Sequence, residues 1–194
     1  MLQAALKKAN IKPEDVSDIC LGNVLKADDA IVGRIGQFIA GIPPSTPLST
    51  VNRQCSSGLQ ACMHVANAIK AGQYDIGIGG GFESMTQNSM GGTVPDLTWD
   101  AVGDSVLAQS CMIPMGITSE NVAEKFGVSR TKQDEMAIIS HNRAAAAQAA
   151  GKFDDEIVPI KTKLDDEEVT ISKGRSLVMM RVVTFLTVFD LCHL

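Results

Sequence analysis

The sequence predicts an α/β fold in which helices layer against a mostly parallel sheet. Three observations predict it. Over the first 81 residues, segments with apolar residues three and four apart alternate with short apolar runs that end in glycine or a turn pair. The chain has 194 residues, 45% hydrophobic and 20% charged, which supplies one buried core without disulfides or metals. Glycine and proline punctuate the segments where such a fold needs its loops.

The elements follow in order. Leu2, Ala5, Leu6 and Ala9 share one face of an N-terminal helix. Ile19-Cys20-Leu21, ended by Gly22-Asn23, reads as a short buried strand. Asp28 and Asp29 are placed to cap a second helix whose apolar positions Ile31, Ile35, Phe38 and Ile39 repeat at helical spacing, and Gly41-Ile42-Pro43-Pro44 stops it. Pro47 to Val51 reads as the next strand. A helix starting close to Cys55 follows, with Leu59, Cys62, Met63, Ala66 and Ile69 on its apolar repeat. Ile76 and Ile78, set among Gly77, Gly79, Gly80 and Gly81, give a third strand.

The rhythm then breaks. From Glu83 to about Met115 the chain holds Gly91-Gly92, Pro95, Trp99 and Gly103 and no long periodic segment, so it reads as an inserted excursion. Ser119 is expected to cap a helix ending at Gly127, and Ser129 a longer one through Ala144 to Ala150. Glu156 to Ile160 and Val169 to Ile171 read as strands around the acidic turn from Asp165 to Glu168. Composition shifts near Lys173: residues 152–168 hold ten charged side chains in 17, and residues 173–194 only four in 22.

A formal net charge of -5 without clustered Lys and Arg argues against a nucleic-acid partner. The N-terminal residues lack an apolar stretch of signal-peptide length, and Val182 to Phe189 is far short of a membrane span. Five scattered cysteines form no Cys-x-x-Cys pair and no zinc-ligand spacing, so free thiols in a reducing compartment and no metal are expected. The glycines after Asp75 invite a dinucleotide reading, which fails because Phe82 stands where a third glycine belongs; close strand packing explains them better.

One place looks like chemistry. Cys55 lies between a strand end and a helix start, where unpaired backbone N–H groups and the helix dipole favour a nucleophilic sulfur and could hold a developing oxyanion. Ser56, Ser57 and Gly58 are small enough for a substrate to approach. Taken alone, an inert buried thiol is the commoner use of cysteine.

The residues around it carry a resemblance. Val51-Asn52-Arg53-Gln54-Cys55-Ser56-Ser57-Gly58-Leu59-Gln60-Ala61 resembles the nucleophile segment of thiolases, specifically 3-ketoacyl-CoA thiolases of the peroxisomal, plant-like type. Tyr74 to Gly79 with Glu83-Ser84-Met85, Ile113 to Ala123, and Gly151-Lys152-Phe153 with Glu156 to Pro159 are similar to later blocks of that family, in the right order. The resemblance covers about residues 1 to 172. It implies the N-terminal half of the thiolase fold, lacking its first strand, with part of the inserted loop domain at about 83–160. Residues 173–194 then form an anomalous tail of unknown structure, with no core partner for its apolar run.

The resemblance also implies a function. A 3-ketoacyl-CoA thiolase of fatty-acid β-oxidation cleaves its substrate with coenzyme A, a co-substrate rather than a bound cofactor, to acetyl-CoA and a shortened acyl-CoA. Cys55 takes the place of the acyl-accepting nucleophile. Met115, in Ile-Pro-Met-Gly, falls in a block that in the family lies over the acyl pocket, so it is a candidate substrate contact; plain core packing is the competing reading. A homodimer, a peroxisomal location and no bound metal are further implications. In the family the activating histidine, a second cysteine and an oxyanion-holding asparagine come from the C-terminal half. None of His64, His141 and His193 has the family's Gly-His-Pro setting. A chain of this sequence alone is therefore expected to be a truncated, catalytically incompetent thiolase. A condensing synthase of the same superfamily is the third reading, which the Val-Asn-Arg-Gln-Cys-Ser-Ser-Gly and Pro-Met-Gly blocks disfavour.

The remaining candidates read as structural. His64, nine residues after Cys55 on the same helix, is more than two turns away and a poor base for it. Cys62 belongs to the apolar repeat and Cys111 precedes the Pro-Met-Gly block; Arg53 reads as an ion-pair residue or a coenzyme phosphate contact, with the structural role favoured.

Overall fold

The computed structural model describes residues 1–26, 30–85, 87–88, 97–164, 167–172 and 186–190, the last as backbone only. It divides into two compact units, residues 1–92 with 181–194 and residues 93–180.

In the first unit, α1 (Leu2–Ala9) ends at Asn10, whose left-handed backbone (φ 55°) turns its N–H back onto the carbonyls of Leu6 and Lys7. β1 (Asp18–Gly22) follows, then α2 (Ala30–Ile39), β2 (Leu48–Val51), α3 (Ser57–Lys70) and β3 (Ile76–Gly81). The sheet order is β2, β1, β3 and β6 (Leu186–Asp190). β1 pairs in parallel with both β2 and β3, as helix-linked strands must, while β6 runs antiparallel along β3. The tail is thus not without a partner: its residues 186–190 form the strand that flanks β3. The Asp28 and Asp29 cap, Gly91-Gly92, Pro95, the Asp165-Asp166 turn and residues 173–185 lie outside the described residues.

Period-two alternation splits the core across the sheet. Ile19 and Leu21 of β1 face α1 and α2 in a cluster with Leu6, Val16, Ala40, Ile42 and Ile78. Cys20 faces the other way and joins Ala61, Val65 and Ile69 beneath α3. Ile19 and Ile78 are fully buried, each contributing about 2 kcal/mol.

The packing faces of α2 and α3 differ from the expected apolar stripes. On α2, Gly33 and Gln37 are buried while Ile31, Ile35, Phe38 and Ile39 are about half exposed or more. On α3, Ser57, Ala61, Val65 and Ile69 face the sheet, and Leu59 and Met63 face outward. Small residues win because the helices sit close to the strands. A Cβ on Gly33 would lie 3.1 Å from the side chains of Leu21 and Leu48, and one on Gly79 2.8 Å from the Cα of Cys62. The close packing expected of the β3 glycines is what they provide. Gln37 is buried without penalty because its amide donates to the Pro43 and Thr46 carbonyls (2.9 Å each) and accepts from Arg34 (3.0 Å).

Tyr74 offers a direct probe of this unit. Its hydroxyl donates to Asp18 Oδ2 (3.3 Å), and burial, reinforced by the Asp18 charge, has its pKa pushed up to about 12. A raised phenol pKa means the folded state holds its proton more tightly than the unfolded chain. That stabilisation is complete below the ordinary value of about 10 and is lost as pH rises towards 12. The chain has one tyrosine, so phenolate absorbance reports it alone. We expect a midpoint about two units higher in the folded chain than in denaturant; equal midpoints would refute this burial.

In the second unit, α4 (Trp99–Gly103) and α5 (Val106–Ser110) precede α6 (Met115–Phe126) and α7 (Arg130–Ala149). α6 starts at Met115 behind Pro114, four residues before the expected cap, and Ser119 lies inside it. Proline suits that position, since its fixed φ and missing N–H fit the start of a helix. Ser129 caps α7 as expected, accepting from the Lys132 N–H. β4 (Ile160–Leu164) and β5 (Glu167–Ile171) form an antiparallel pair. The first of these strands begins where the expected one was to end: Glu156 and Ile157 turn back to the Phe153 carbonyl, and Pro159 has no N–H for a ladder. Among the described residues, no helix is long and apolar enough to cross a membrane.

Candidate active site

The carboxyl ends of β1, β2 and β3 stop level with one another, with Gly22 opposite both Val51 and Gly81. Three loops leave from that edge: 23–26, 52–56 and 82–85. In an open parallel sheet this is where ligands bind, where neighbouring strands connect in opposite directions.

Cys55 is on the middle loop and is solvent-exposed. The loop is a tight elbow from β2 into α3. Gln54, immediately before the cysteine, has φ 50°, a left-handed backbone that costs a side-chain-bearing residue about 1–2 kcal/mol. Neighbours hold it there. The Gln54 N–H donates to Asn52 Oδ1 (3.0 Å), and its carbonyl accepts both the N–H (3.0 Å) and the hydroxyl of Ser57 (2.5 Å). Ser57 Oγ in turn accepts the Arg53 N–H (2.9 Å). Ser57 is buried, so this one side chain ties both sides of the elbow to the first turn of α3.

The elbow qualifies one expectation. The N–H groups of Ser56 and Ser57 already donate to the Arg53 and Gln54 carbonyls, at 3.1 and 3.0 Å, so these two amides are committed to the turn rather than open to an oxyanion. The Arg53 guanidinium donates to the neutral side-chain oxygen of Gln60, on α3.

The flanking loops brace the elbow. Asn23 donates to the Phe82 carbonyl (2.7 Å), and Glu83 accepts the N–H groups of Val24 (2.8 Å) and Leu25 (3.3 Å). Asn52 Nδ2 donates to the Val24 carbonyl (3.0 Å). Sequence patterns do not mark Glu83 and Asn23 as functional residues, although Glu83 belongs to the Glu83-Ser84-Met85 segment that resembles the family. Their main partners are backbone atoms of the loop leaving another strand, which no spacing rule reveals.

His64 turns away from Cys55, with Nδ1 3.8 Å from the sulfur of Cys20. Cys20 is buried, and burial pushes its thiol up from the ordinary value, with the nearby Asp18 charge adding to the rise and a Ser49 hydrogen bond opposing it. Cys62 is half-buried at the flank of α3 rather than in the core, and Cys111 is exposed in the second unit. Met115 is also in the second unit, at the first position of α6 and 59% exposed. Among the described residues, no group of three or more His, Cys, Asp or Glu is arranged to hold a metal ion.

Fold and site together define an α/β domain with a mostly parallel sheet and an exposed thiol on a strand-to-helix elbow. Comparison with known proteins makes this specific. The family described as thiolase, N-terminal domain, matches residues 1–181, and the chain belongs to that family. The match runs past Lys173, where the resemblance read from sequence stopped. The chain is 52% identical to the peroxisomal 3-ketoacyl-CoA thiolase 2 of Arabidopsis thaliana over 185 residues, covering 89% of this chain and 38% of the relative. It is 50% identical to the human peroxisomal 3-ketoacyl-CoA thiolase, covering 88% of this chain and 40% of the relative. Among solved structures, the dimeric peroxisomal thiolase of Saccharomyces cerevisiae superposes with a TM-score of 0.75 at 42% identity, covering 82% of this chain and 40% of that one. The acetyl-CoA acetyltransferase of Bacillus anthracis gives 0.73 at 35% identity, covering 90% and 46%. The chain spans about two fifths of the length of the curated relatives it matches.

Proposed function

We propose that this chain carries the acyl-accepting half of a peroxisomal-type 3-ketoacyl-CoA thiolase, with Cys55 as the nucleophile. The observation that carries the reading is the elbow: an exposed thiol presented between β2 and α3 by a left-handed Gln54 that three hydrogen bonds hold in place. A backbone held in a disfavoured conformation next to a nucleophilic atom is a form of preorganisation.

The Cys55 sulfur would attack the keto carbon of a 3-ketoacyl-CoA. The bond between that carbon and the α carbon breaks, its electron pair passes to the α carbon, and a proton taken up there, balancing the one the Cys55 thiol gives up, completes acetyl-CoA. The shortened acyl group stays on Cys55 as a thioester until the thiol of coenzyme A attacks it and frees the cysteine. Covalent catalysis of this kind replaces one difficult carbon–carbon cleavage by two thioester steps. Met115 would contact the acyl chain through its polarisable thioether. Coenzyme A enters as co-substrate, and a peroxisomal setting and pairing of two subunits accompany the reading.

Among the described residues of the first unit the one histidine is His64, on the helix that follows the elbow, and it is turned to Cys20. The reading therefore assigns acylation, not turnover, to the chain by itself. Incubation with acetoacetyl-CoA tests this: intact and peptide mass spectrometry should find one acetyl group, on Cys55. With added coenzyme A, the enolate absorbance of acetoacetyl-CoA should not fall at thiolase-like rates. Absence of the adduct would overturn the nucleophile assignment, and rapid thiolysis would overturn the restriction to half the reaction.

A further inference from the structure

Loop 23–26 has no regular structure, yet its polar groups are closely satisfied. The N–H groups of Val24 and Leu25 both donate to Glu83 Oε2, the Asn23 amide donates to the Phe82 carbonyl and to Glu83 Oε1 (3.4 Å), and the Lys26 N–H donates to Asn23 Oδ1 (3.0 Å). Held this way, the loop aims the Val24 carbonyl at Asn52 Nδ2. An asparagine amide has one donating and one accepting end, so the contact also decides which end faces Gln54. The accepting end receives the Gln54 N–H, at the left-handed residue before Cys55. A continuous line of hydrogen bonds thus runs from the Glu83 carboxylate, through Val24 and Asn52, to the elbow. Its first link is charge-assisted.

We propose that Glu83 is a positioning residue for Cys55: it fixes loop 23–26, the loop orients Asn52, and Asn52 holds Gln54 in the conformation that presents the thiol. The proposal rests on the reading of Cys55 as the nucleophile, but its geometry can be tested without coenzyme A chemistry. Glu83 touches no reacting atom in this scheme. Removing it should let Gln54 relax to negative φ and swing the Cys55 side chain from its place at the start of α3.

The test is carboxamidomethylation of the whole chain by iodoacetamide, with the rate at Cys55 read by peptide mass spectrometry relative to the exposed Cys111 of the second unit. Glu83→Ala and Asn52→Ala should each slow Cys55 relative to Cys111 by about fivefold, the effect of losing one ordinary hydrogen bond. The double variant should be no slower than the slower single, because both act through one line of contacts. Glu83→Gln, whose carbonyl oxygen still accepts from Val24 and Leu25, should restore the rate to within about twofold. A purely structural role would lower thermal stability and leave the ratio unchanged. That result for exposed Asn52→Ala, or effects that multiply in the double variant, would overturn the proposal. Should circular dichroism show Glu83→Ala unfolded, Glu83→Asp takes its place with the same expectation, its shorter arm withdrawing the carboxylate from Val24. If the parent chain takes no acetyl group, the acyl-transfer reading fails while the alkylation ratios still decide the role of Glu83.

Discussion

Cys55→Ala is expected to abolish acylation of the chain by acetoacetyl-CoA, a loss of several orders of magnitude in the rate of adduct formation. No other described thiol has its setting. Cys20 is buried against β2 and α3, Cys62 is half-buried on the flank of α3, and Cys111 is exposed on the short helix α5's C-terminal side, where its sulfur faces the Leu107 carbonyl. Exposure alone therefore does not separate Cys55 from Cys111; the elbow does. In the parent chain the adduct should localise to Cys55, with Cys111 left free, and in Cys55→Ala no peptide should carry acetyl above the background of the denatured chain. Equal acetylation of Cys55 and Cys111 would mean that the elbow confers no special reactivity. Because Cys55 is exposed, the substitution should leave the unfolding free energy measured in urea within about 0.5 kcal/mol of the parent, so loss of the adduct is not a folding effect.

Gly22→Ala is expected to destabilise the first unit by about 3 kcal/mol, the upper end of what overpacking usually costs. A Cβ at Gly22 would lie 2.4 Å from the carbonyl carbon of Ser57 and 2.5 Å from the nitrogen of Gly58. Both are backbone atoms in the first turn of α3, with no side chain to swing aside. The helix start must move, and Ser57 with it, so the hydrogen bonds to Arg53 and Gln54 stretch and the elbow loosens. Urea denaturation should show the lower midpoint, and Cys55 alkylation should slow in the same variant. Gly58→Ala, in the first turn of α3 itself, is the control. Its added Cβ meets nothing within 4 Å, and replacing a helical glycine by alanine gains up to about 1 kcal/mol. Opposite signs at two adjacent glycines would establish that close approach of α3 to β1, rather than glycine content, sets the position of the elbow. A neutral Gly22→Ala would mean that α3 does not sit this near the sheet.

Most strands and helices of the first unit were legible in the sequence because local signals agreed. Gly41-Ile42-Pro43-Pro44 cannot continue a helix, and Ile19-Cys20-Leu21 before Gly22-Asn23 has strand length and a turn after it. The packing faces of α2 and α3 were not legible, although that of α1 was, with Leu6 in the core and Leu2 against it. Hydropathy favoured Leu59 and Met63 on α3, whereas Ala61 and Val65 are the residues pressed on the sheet, since the glycines of β3 admit a helix only if its inner face is small. The start of β4 was misplaced for a local reason, as Pro159 interrupts the ladder that its hydrophobic neighbours suggest. The pairing of β6 was illegible for a non-local one: strand partners far apart in sequence leave no periodic trace.

By itself the sequence determined the layered α/β class, the family, and Cys55 as the residue to watch, because each is written in local patterns and in the order of blocks along the chain. Only the tertiary structure decided how the thiol is presented. It turned His64 towards Cys20, committed two amides of the elbow to its own turn, and brought Glu83, Val24 and Asn52 into one line. The physical reason is that a hydrogen bond depends on where backbone atoms of separate strands come to rest. That position is fixed by packing of the helices on the sheet, not by any residue's neighbours in sequence.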